Sequence, residues 1–272
     1  SLANVKLELS ADGGTSYPTI IVASTGAGAG AYAWTIPDSI GTNRRVKVSD
    51  ASDSTVFDTS NNNFTVMGGF TISAPNGGEV WIVASAQSIT WTTAGSVANV
   101  KLEYSTDGGT SYPSVIVATT ANTGTYSWTV PDAITTLAKV RVSDAANANA
   151  LDVSNANFKI RGAVTVTAPN GGEGWGVNTV QNIAWTRTGS IANVKLEYST
   201  NAFADELQTA VIVASTPADP APADNAGTYA WTIPDAPSTT AKVRISDASD
   251  LTALDLSNAN FELKGAVTVT AP

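Results

Sequence analysis

Three acidic turns carry the side chains of this chain best suited to chemistry. Residues 49–63, SDASDSTVFDTSNNN, hold Asp50, Asp53 and Asp58; a second such stretch holds Asp144 and Asp152, and a third holds Asp247, Asp250 and Asp255. Carboxylates gathered in a turn can supply several of the six to eight oxygens that calcium takes. Asp50, Asp53, Asp58, Asp144 and Asp152 are therefore candidate calcium ligands. The same residues serve a turn without any metal, because an Asp side chain accepts hydrogen bonds from backbone N–H groups just ahead of it. Asn147 stands in the second turn where the first has Asp53, and no EF-hand spacing is present, so both readings stay open. Glu8, Glu103 and Glu197 each sit in an alternating VKLEL or VKLEY run. Alternation puts them on the polar face of a strand, where the expectation is a solvated carboxylate and not a catalytic acid–base pair. The chain has no His and no Cys, which excludes His-based triads and His- or Cys-ligated metals. Gly26-Ala-Gly-Ala-Gly30 opens no helix, so it is a hairpin loop and not a phosphate cradle. Asn63-Phe-Thr65 is the one glycosylation sequon. The expectation is a protein that is not an enzyme and needs no cofactor beyond calcium.

Residues 105–113, STDGGTSYP, have a near-copy, SADGGTSYP, at 10–18. A repeated Asp-Gly-Gly can make a ligand loop, a metal site or a hairpin. It joins the VKLEY run to the apolar SVIVA run, and Asp-Gly-Gly supplies the positive-φ positions a tight hairpin needs. The spacing of Ser105, Asp107, Gly109, Ser111 and Tyr112 resembles the Asp-box, with Ser111 and Tyr112 departing from its Thr and Trp. In families that carry it, that box stabilises a hairpin away from the active site, so the resemblance implies structure. The third copy, STNAFADELQTAVIVA at 199–214, has no Asp-Gly-Gly while its flanking strands persist.

Positioning these turns requires an architecture, and composition bounds it. The chain has 272 residues, 43% hydrophobic and only 14% charged, with a formal charge of −9 and pI ≈ 4.4. Without a basic cluster there is no electrostatic footprint for nucleic acid. The apolar runs are far too short for a helical membrane span.

Self-similarity is the dominant signal. VKLELS, VKLEYS and VKLEYS start at Val5, Val100 and Val194; YAWTIPD, YSWTVPD and YAWTIPD at Tyr32, Tyr126 and Tyr229; and VKVSD, VRVSD and VRISD at Val46, Val140 and Val243. The order never changes, and the period of roughly 95 residues is that of a compact domain. Within a period the apolar residues alternate with polar ones, giving about seven short strands separated by turn residues. The middle copy predicts one first strand running from Phe70 through Ser73 to Trp81. The pattern indicates all-β, three tandem immunoglobulin-like antiparallel β-sandwich domains, the first incomplete at its N-terminus. The divisions fall at residues 1–67, 68–162, 163–264 (with an insertion) and 265–272, the last being the first strand of a further repeat. Trp34, Trp91, Trp128, Trp185 and Trp231 are expected on the apolar side of strands, in the core.

Pro75-x-x-Gly78-x-x-Trp81 followed by Ile89-x-Trp91, and Pro169-x-x-Gly172-x-x-Trp175 followed by Ile183-x-Trp185, resemble the Ser/Thr-rich module of fungal cell-wall glucan-assembly proteins and the tandem repeats of large prokaryotic surface proteins. That resemblance implies an extracellular β-sandwich with no catalytic residues. Residues 1–5 align with 190–194, so the first copy lacks the opening strands, while residues 265–272 repeat such an opening. Two explanations stay open: a window cut from a longer repetitive polypeptide, or donation of the last strand to the next subunit. In the second, Val5 and Leu7 meet Val267, Val269 and Pro272 across a subunit interface. The functional expectation is a structural component of an extracellular filament, sheath or giant surface protein, partnered head-to-tail by copies of itself. The alternative is an adhesin or carbohydrate-binding stalk that touches cell-wall polysaccharide through Tyr17 and Tyr112.

Overall fold

The computed structural model describes residues 2–220 and 224–265. Every element above one turn in length is a β-strand, as the Val-, Ile- and Thr-rich alternating runs require. In the second repeat, strands Gly69–Ala74, Ala86–Ala94 and Thr125–Thr129 form a three-stranded antiparallel sheet with Ala86–Ala94 in the middle. A six-stranded sheet faces it. Its order is Ser114–Ala121, Asn99–Ser105, Thr135–Asp144, Phe158–Arg161 and Val80–Ile82, with Leu151–Val153 also paired to Thr135–Asp144. The third repeat reproduces both sheets. These are immunoglobulin-like sandwiches.

The core lies between the sheets. Inward residues of each strand, such as Ile72, Ile89, Val100, Leu102, Val140 and Ile160, are fully buried in the second repeat, with equivalents in the third. Trp81 packs against Trp128 at 5.9 Å between ring centroids and against Phe158 at 4.9 Å. Trp175 repeats this with Trp231 at 6.2 Å and Phe261 at 5.2 Å. Trp91, Trp128, Trp185 and Trp231 are core residues, as their alternation predicts. Each such indole removes on the order of 200 Å² from water, a gross gain of roughly 5 kcal/mol.

The predicted continuous first strand is in fact two strands in different sheets. Gly69–Ala74 pairs antiparallel with Ala86–Ala94, whereas Val80–Ile82 pairs parallel with Phe158–Arg161. Between them Pro75 offers no N–H to a ladder, and Glu79 accepts the N–H groups of Asn76 and Gly77 at 2.7 and 2.8 Å. A Cβ at Gly77 would stand 2.5 Å from that of Ala156, so only glycine lets the crossing pass.

The first repeat differs. Asn4–Ser10, Thr19–Gly26, Gly41–Asp50, Phe57–Thr59 and Phe64–Val66 form one sheet, and the three-stranded sheet has no counterpart among the described residues. Trp34 therefore departs from expectation: it lies outside any strand and is half-buried, its ring edge-on to Phe64 at 6.5 Å. Its equivalents Trp128 and Trp231 are held in strands by Ala86–Ala94 and Val180–Thr188. Without such a neighbour there is no ladder to fix it.

Candidate functional site

The Asp-Gly-Gly phrase is a hairpin turn between Asn99–Ser105 and Ser114–Ala121. The Ser105 hydroxyl donates to Asp107 at 2.6 Å and accepts the Gly109 N–H at 2.9 Å. The Asp107 carboxylate accepts from the Ser111 N–H at 3.0 Å and hydroxyl at 2.6 Å. These hydroxyl contacts, those of Ser105 and then Ser111, hold the Asp107 carboxyl well below its ordinary range. Ser10 and Asp12 build the same turn. The third copy keeps it without the motif. Ser199 donates to Asn201 and accepts the Phe203 N–H, while Ala202 and Phe203 adopt φ of 58° and 60°. An Asn carbonyl thus replaces the carboxylate, and two residues accept the conformation that glycine adopts freely.

The acidic turns are also internally engaged. Asp50 accepts from the Ser52 N–H and hydroxyl, Asp53 from those of Thr55, and Asp144 from the Ala146 N–H. The same bonds lower the Asp50 and Asp53 carboxyls, led by the Ser52 N–H and the Thr55 hydroxyl respectively. Among the described residues no three carboxylates come together in a metal-holding group.

Glu8, Glu103 and Glu197 are on the outer face of their sheet as predicted, but they are buried, not solvated. Each bridges two cations: Glu8 with Lys6 (2.6 Å) and Lys47 (2.8 Å), Glu103 with Lys101 and Arg141 (both 2.7 Å), Glu197 with Lys195 (2.6 Å) and Arg244 (2.9 Å). The long cationic stems cover the carboxylate. Tyr112 lies over the Arg141 guanidinium at 4.3 Å and Tyr17 near Lys47 at 5.1 Å, so the two tyrosines proposed for polysaccharide contact already roof these ion clusters.

Asp152 and Asp255 do work of a different kind. Each sits mid-strand beside apolar residues, in Leu151–Val153 and Leu254–Leu256, and reaches across to the opposite sheet. Asp152 Oδ2 accepts the Ile72 N–H at 2.7 Å, and Asp255 Oδ2 the Val166 N–H at 2.8 Å. Two residues on, Ser154 and Ser257 donate to the carbonyls of Pro75 and Pro169, both at 2.7 Å. The first strand of each complete repeat is thus locked at two backbone points. This role was missed in the sequence, although the signal was there: an Asp flanked by apolar residues in a strand, recurring as FDT, LDV and LDL, is a costly choice unless its carboxylate is used.

In the first repeat the equivalents are Asp58 and Ser60. Asp58 is exposed and makes no side-chain hydrogen bond to another described residue; the Ser60 hydroxyl accepts only the Val46 N–H, at 3.1 Å. Beside them opens an apolar groove of about 360 Å³, lined by Val5, Leu7, Ile21, Trp34, Val46 and Val48. Val48 is 39% exposed, whereas its equivalents Val142 and Ile245 are 0% exposed. The structure therefore brings Val5 and Leu7 together in one surface. Val267, Val269 and Pro272 lie outside the described residues.

Successive repeats meet through one recurring contact. Asp38 accepts the Ser96 N–H at 3.0 Å, and Asp132 the Ser190 N–H at 2.9 Å; both Ser hydroxyls bond the same carboxylates. A Cβ on the linker residue Gly162 would stand 2.6 Å from Ile191 and 2.7 Å from the Thr188 carbonyl oxygen. Ile191 and the Thr188 backbone, both of the third repeat, thus close over a linker residue that only glycine fits.

No helix among the described residues is long and apolar enough to cross a membrane. No family model matches the chain, and no curated protein matches it. Among solved structures it is similar to fibronectin(III)-like modules of Clostridium thermocellum CbhA, with 17% identity over 72% of this chain and 94% of that one, TM-score 0.27. It is also similar to the N-terminal four Ig domains of Dscam1 isoform 4.44, with 9% identity over 97% of this chain and 65% of that one, TM-score 0.33. A chimeric titin Z1Z2 tandem gives 14% identity over 73% and 100%, TM-score 0.25. At such scores these likenesses say nothing about the role of this chain; its sheets and strand order define its fold.

Proposed function

We propose that this chain is a structural, non-catalytic building block of an extracellular filament, sheath or giant cell-surface protein whose immunoglobulin-like repeats join end to end. The observation that carries this reading is the junction itself. The same Asp–Ser contact joins the first repeat to the second and the second to the third, over linkers too short and too enclosed to act as free hinges. A contact used twice in one chain is a means of adding repeats in line. The extracellular setting rests on the weakly charged, Thr- and Ser-rich surface and on the likeness of the Pro-x-x-Gly-x-x-Trp segments to cell-wall and surface modules.

Electron microscopy of the native material, paired with the same sample after denaturation, tests it. Long, regularly beaded fibres that fall apart into short chains are the expected result. Isolated short rods at every concentration would refute assembly and turn attention to what the loops hold.

A further inference from the structure

The Asp-Gly-Gly hairpins do more than turn the chain, because their second glycine gathers the same set of side chains in two repeats. A Cβ at Gly109 would stand 3.0 Å from the Tyr112 hydroxyl oxygen and 3.2 Å from Cδ of Lys139. Only glycine lets that phenol and that cationic stem close on the turn together. Gly14 does the same for Tyr17 and Arg45, both at 3.1 Å. Asn157 stands beside Gly108, and Asn63 beside Gly13. Arg141 and Lys47, which lie against the two tyrosine rings, are neutralised by Glu103 and Glu8. Lys139 and Arg45 bond carbonyl oxygens instead: Lys139 that of Asn155 at 3.4 Å, Arg45 that of the Asn63 side chain at 2.8 Å. Asp107 and Asp12 are held in their own turns by Ser111 and Ser16. Among the described residues, each site thus has one cation without a carboxylate partner, beside a half-buried tyrosine and an amide. The third repeat shuts the same place. Phe203 stands where the others have Gly109 and Gly14, its ring on the Arg244 guanidinium at 4.7 Å, and Glu206 as well as Glu197 pairs with that guanidinium, both at 2.9 Å.

We propose that the hairpin faces of the first and second repeats bind an acidic polysaccharide, a chain of uronic acid sugars. A sugar carboxylate meets Lys139 or Arg45, and the neighbouring sugar hydroxyls meet the tyrosine hydroxyl and the Asn157 or Asn63 amide. The chemistry of the donor set selects this ligand. A sugar hydroxyl both donates and accepts, as a phenol and a carboxamide do, so the two sides match group for group. A phosphate diester only accepts and leaves half of that capacity unused. A second copy of the chain is a poor occupant, because its turn carboxylates, Asp50, Asp53 and Asp107 among them, are already taken by hydroxyl and N–H donors. One cation per site makes each contact weak and salt-sensitive. Two sites on one chain, engaging the same polymer, raise the overall affinity by avidity. The binding stands whether or not chains also assemble end to end.

The test uses the full chain in affinity electrophoresis at low salt. The probe is polygalacturonate; its methyl ester is the same sugar without the charge, and single-stranded DNA is a polyanion without free sugar hydroxyls. Two double variants each remove two positive charges. Arg45→Gln/Lys139→Gln strikes the open sites, whereas Lys242→Gln/Lys264→Gln strikes the shut site and the strand Phe261–Lys264. Expected results are that polygalacturonate retards the wild type and its methyl ester hardly does. The first double variant should bind polygalacturonate about 3- to 10-fold more weakly, as loss of two exposed ion pairs requires, and the second should change by less than about 2-fold. Equal weakening in both variants would show attraction by overall charge and overturn the site. Equal retardation by acid and ester, or tighter binding to DNA than to polygalacturonate, would overturn the choice of ligand. A wild type that polygalacturonate does not retard would overturn the proposal outright.

Discussion

The Asp lock between sheets makes a quantitative claim that can be read in single variants. In Asp152→Ala the Ile72 N–H, 2.7 Å from the carboxylate and belonging to a residue 1% exposed, loses its acceptor. A hydrogen bond to a charged group in such a place contributes about 1.5–3 kcal/mol, and the stranded N–H adds to the loss, so roughly 2–3 kcal/mol is expected. For a repeat of this size unfolding as its own unit, that is a drop in Tm of about 10–20 °C. Asp255→Ala should cost the third repeat the same, because the Val166 contact is equivalent. Asp58→Ala in dilute, monomeric protein should change stability by less than about 0.5 kcal/mol, since that carboxylate is exposed and makes no bond to a described residue. Differential scanning calorimetry of the full-length variants separates these outcomes. Equal losses at Asp58 and Asp152, or no loss at Asp152 and Asp255, would refute the lock.

Three further outcomes follow from the same geometry. Ser105→Ala removes the acceptor for the Asp107 and Gly109 N–H groups and should destabilise the second repeat by about 2 kcal/mol in urea unfolding, whereas Asn201→Asp, which restores the carboxylate of the other two turns, should be close to neutral. Stability should fall on acidification. Glu8 is lowered by Lys47 and then Lys6; in Glu103 and Glu197 burial pushes the carboxyl up, but the paired Lys and Arg together outweigh it and the net shift is down. Groups lowered on folding stabilise above their unfolded pKa, near 4.3 for Glu, and that contribution is lost as pH falls through the folded value; melting temperatures should decline from about pH 5 downward, less steeply in Glu103→Gln. Gly162→Ala places a methyl carbon against Ile191, a core residue of the third repeat, and the Thr188 carbonyl, so calorimetry should report a lowered third-repeat transition while that of the second repeat stays in place.

Much of this was legible in the sequence because period-2 alternation is a direct consequence of a half-buried sheet. The VKLEY and VRVSD runs read as strands with their buried faces assigned, and Trp91, Trp128, Trp185 and Trp231 read as core. Alternation cannot say which sheet a strand joins, so the crossing at Pro75 was invisible even though Pro, two Gly and Glu79 all stand there to make it. It also assigns a side, not an environment. Glu103 points outward as predicted, yet it is covered by side chains from Thr135–Asp144 and the hairpin, which only the cross-strand register of Arg141 with Glu103 brings near. Trp34 shows the converse limit: the same YAWT letters form a strand at Trp231 and not at Trp34, because a strand exists only with its neighbour. The candidate site was half legible. Val5 and Leu7 followed from the repeat alignment, whereas Asp152 was read as a turn or calcium residue because its use, accepting the Ile72 N–H, depends on a strand from the opposite sheet.

The two junctions share one clamp but are not equal. At the second, Lys159 pairs with Asp250 at 2.5 Å and the Arg161 guanidinium donates to the Thr252 carbonyl, both partners lying on the acidic turn of the next repeat. The desolvating surroundings of Asp250 push its carboxyl up, but the Lys159 and Thr252 contacts more than offset this and leave it lowered. At the first junction the residues at the corresponding positions are Thr65 and Met67 in one repeat and Asn147 and Asn149 in the next, which offer no opposite charges. One clamp fixes a point and leaves rotation about it; a second, well separated contact removes that rotation. The acidic turns, which in sequence look like three versions of one metal site, therefore diverge in use. The third turn stiffens a junction by ion pairing, while the first turn is held by its own hydrogen bonds, Asp50 to Ser52 and Asp53 to Thr55. A repeat protein of this kind sets the stiffness of its junctions through a few substitutions at repeat ends while its cores stay nearly constant.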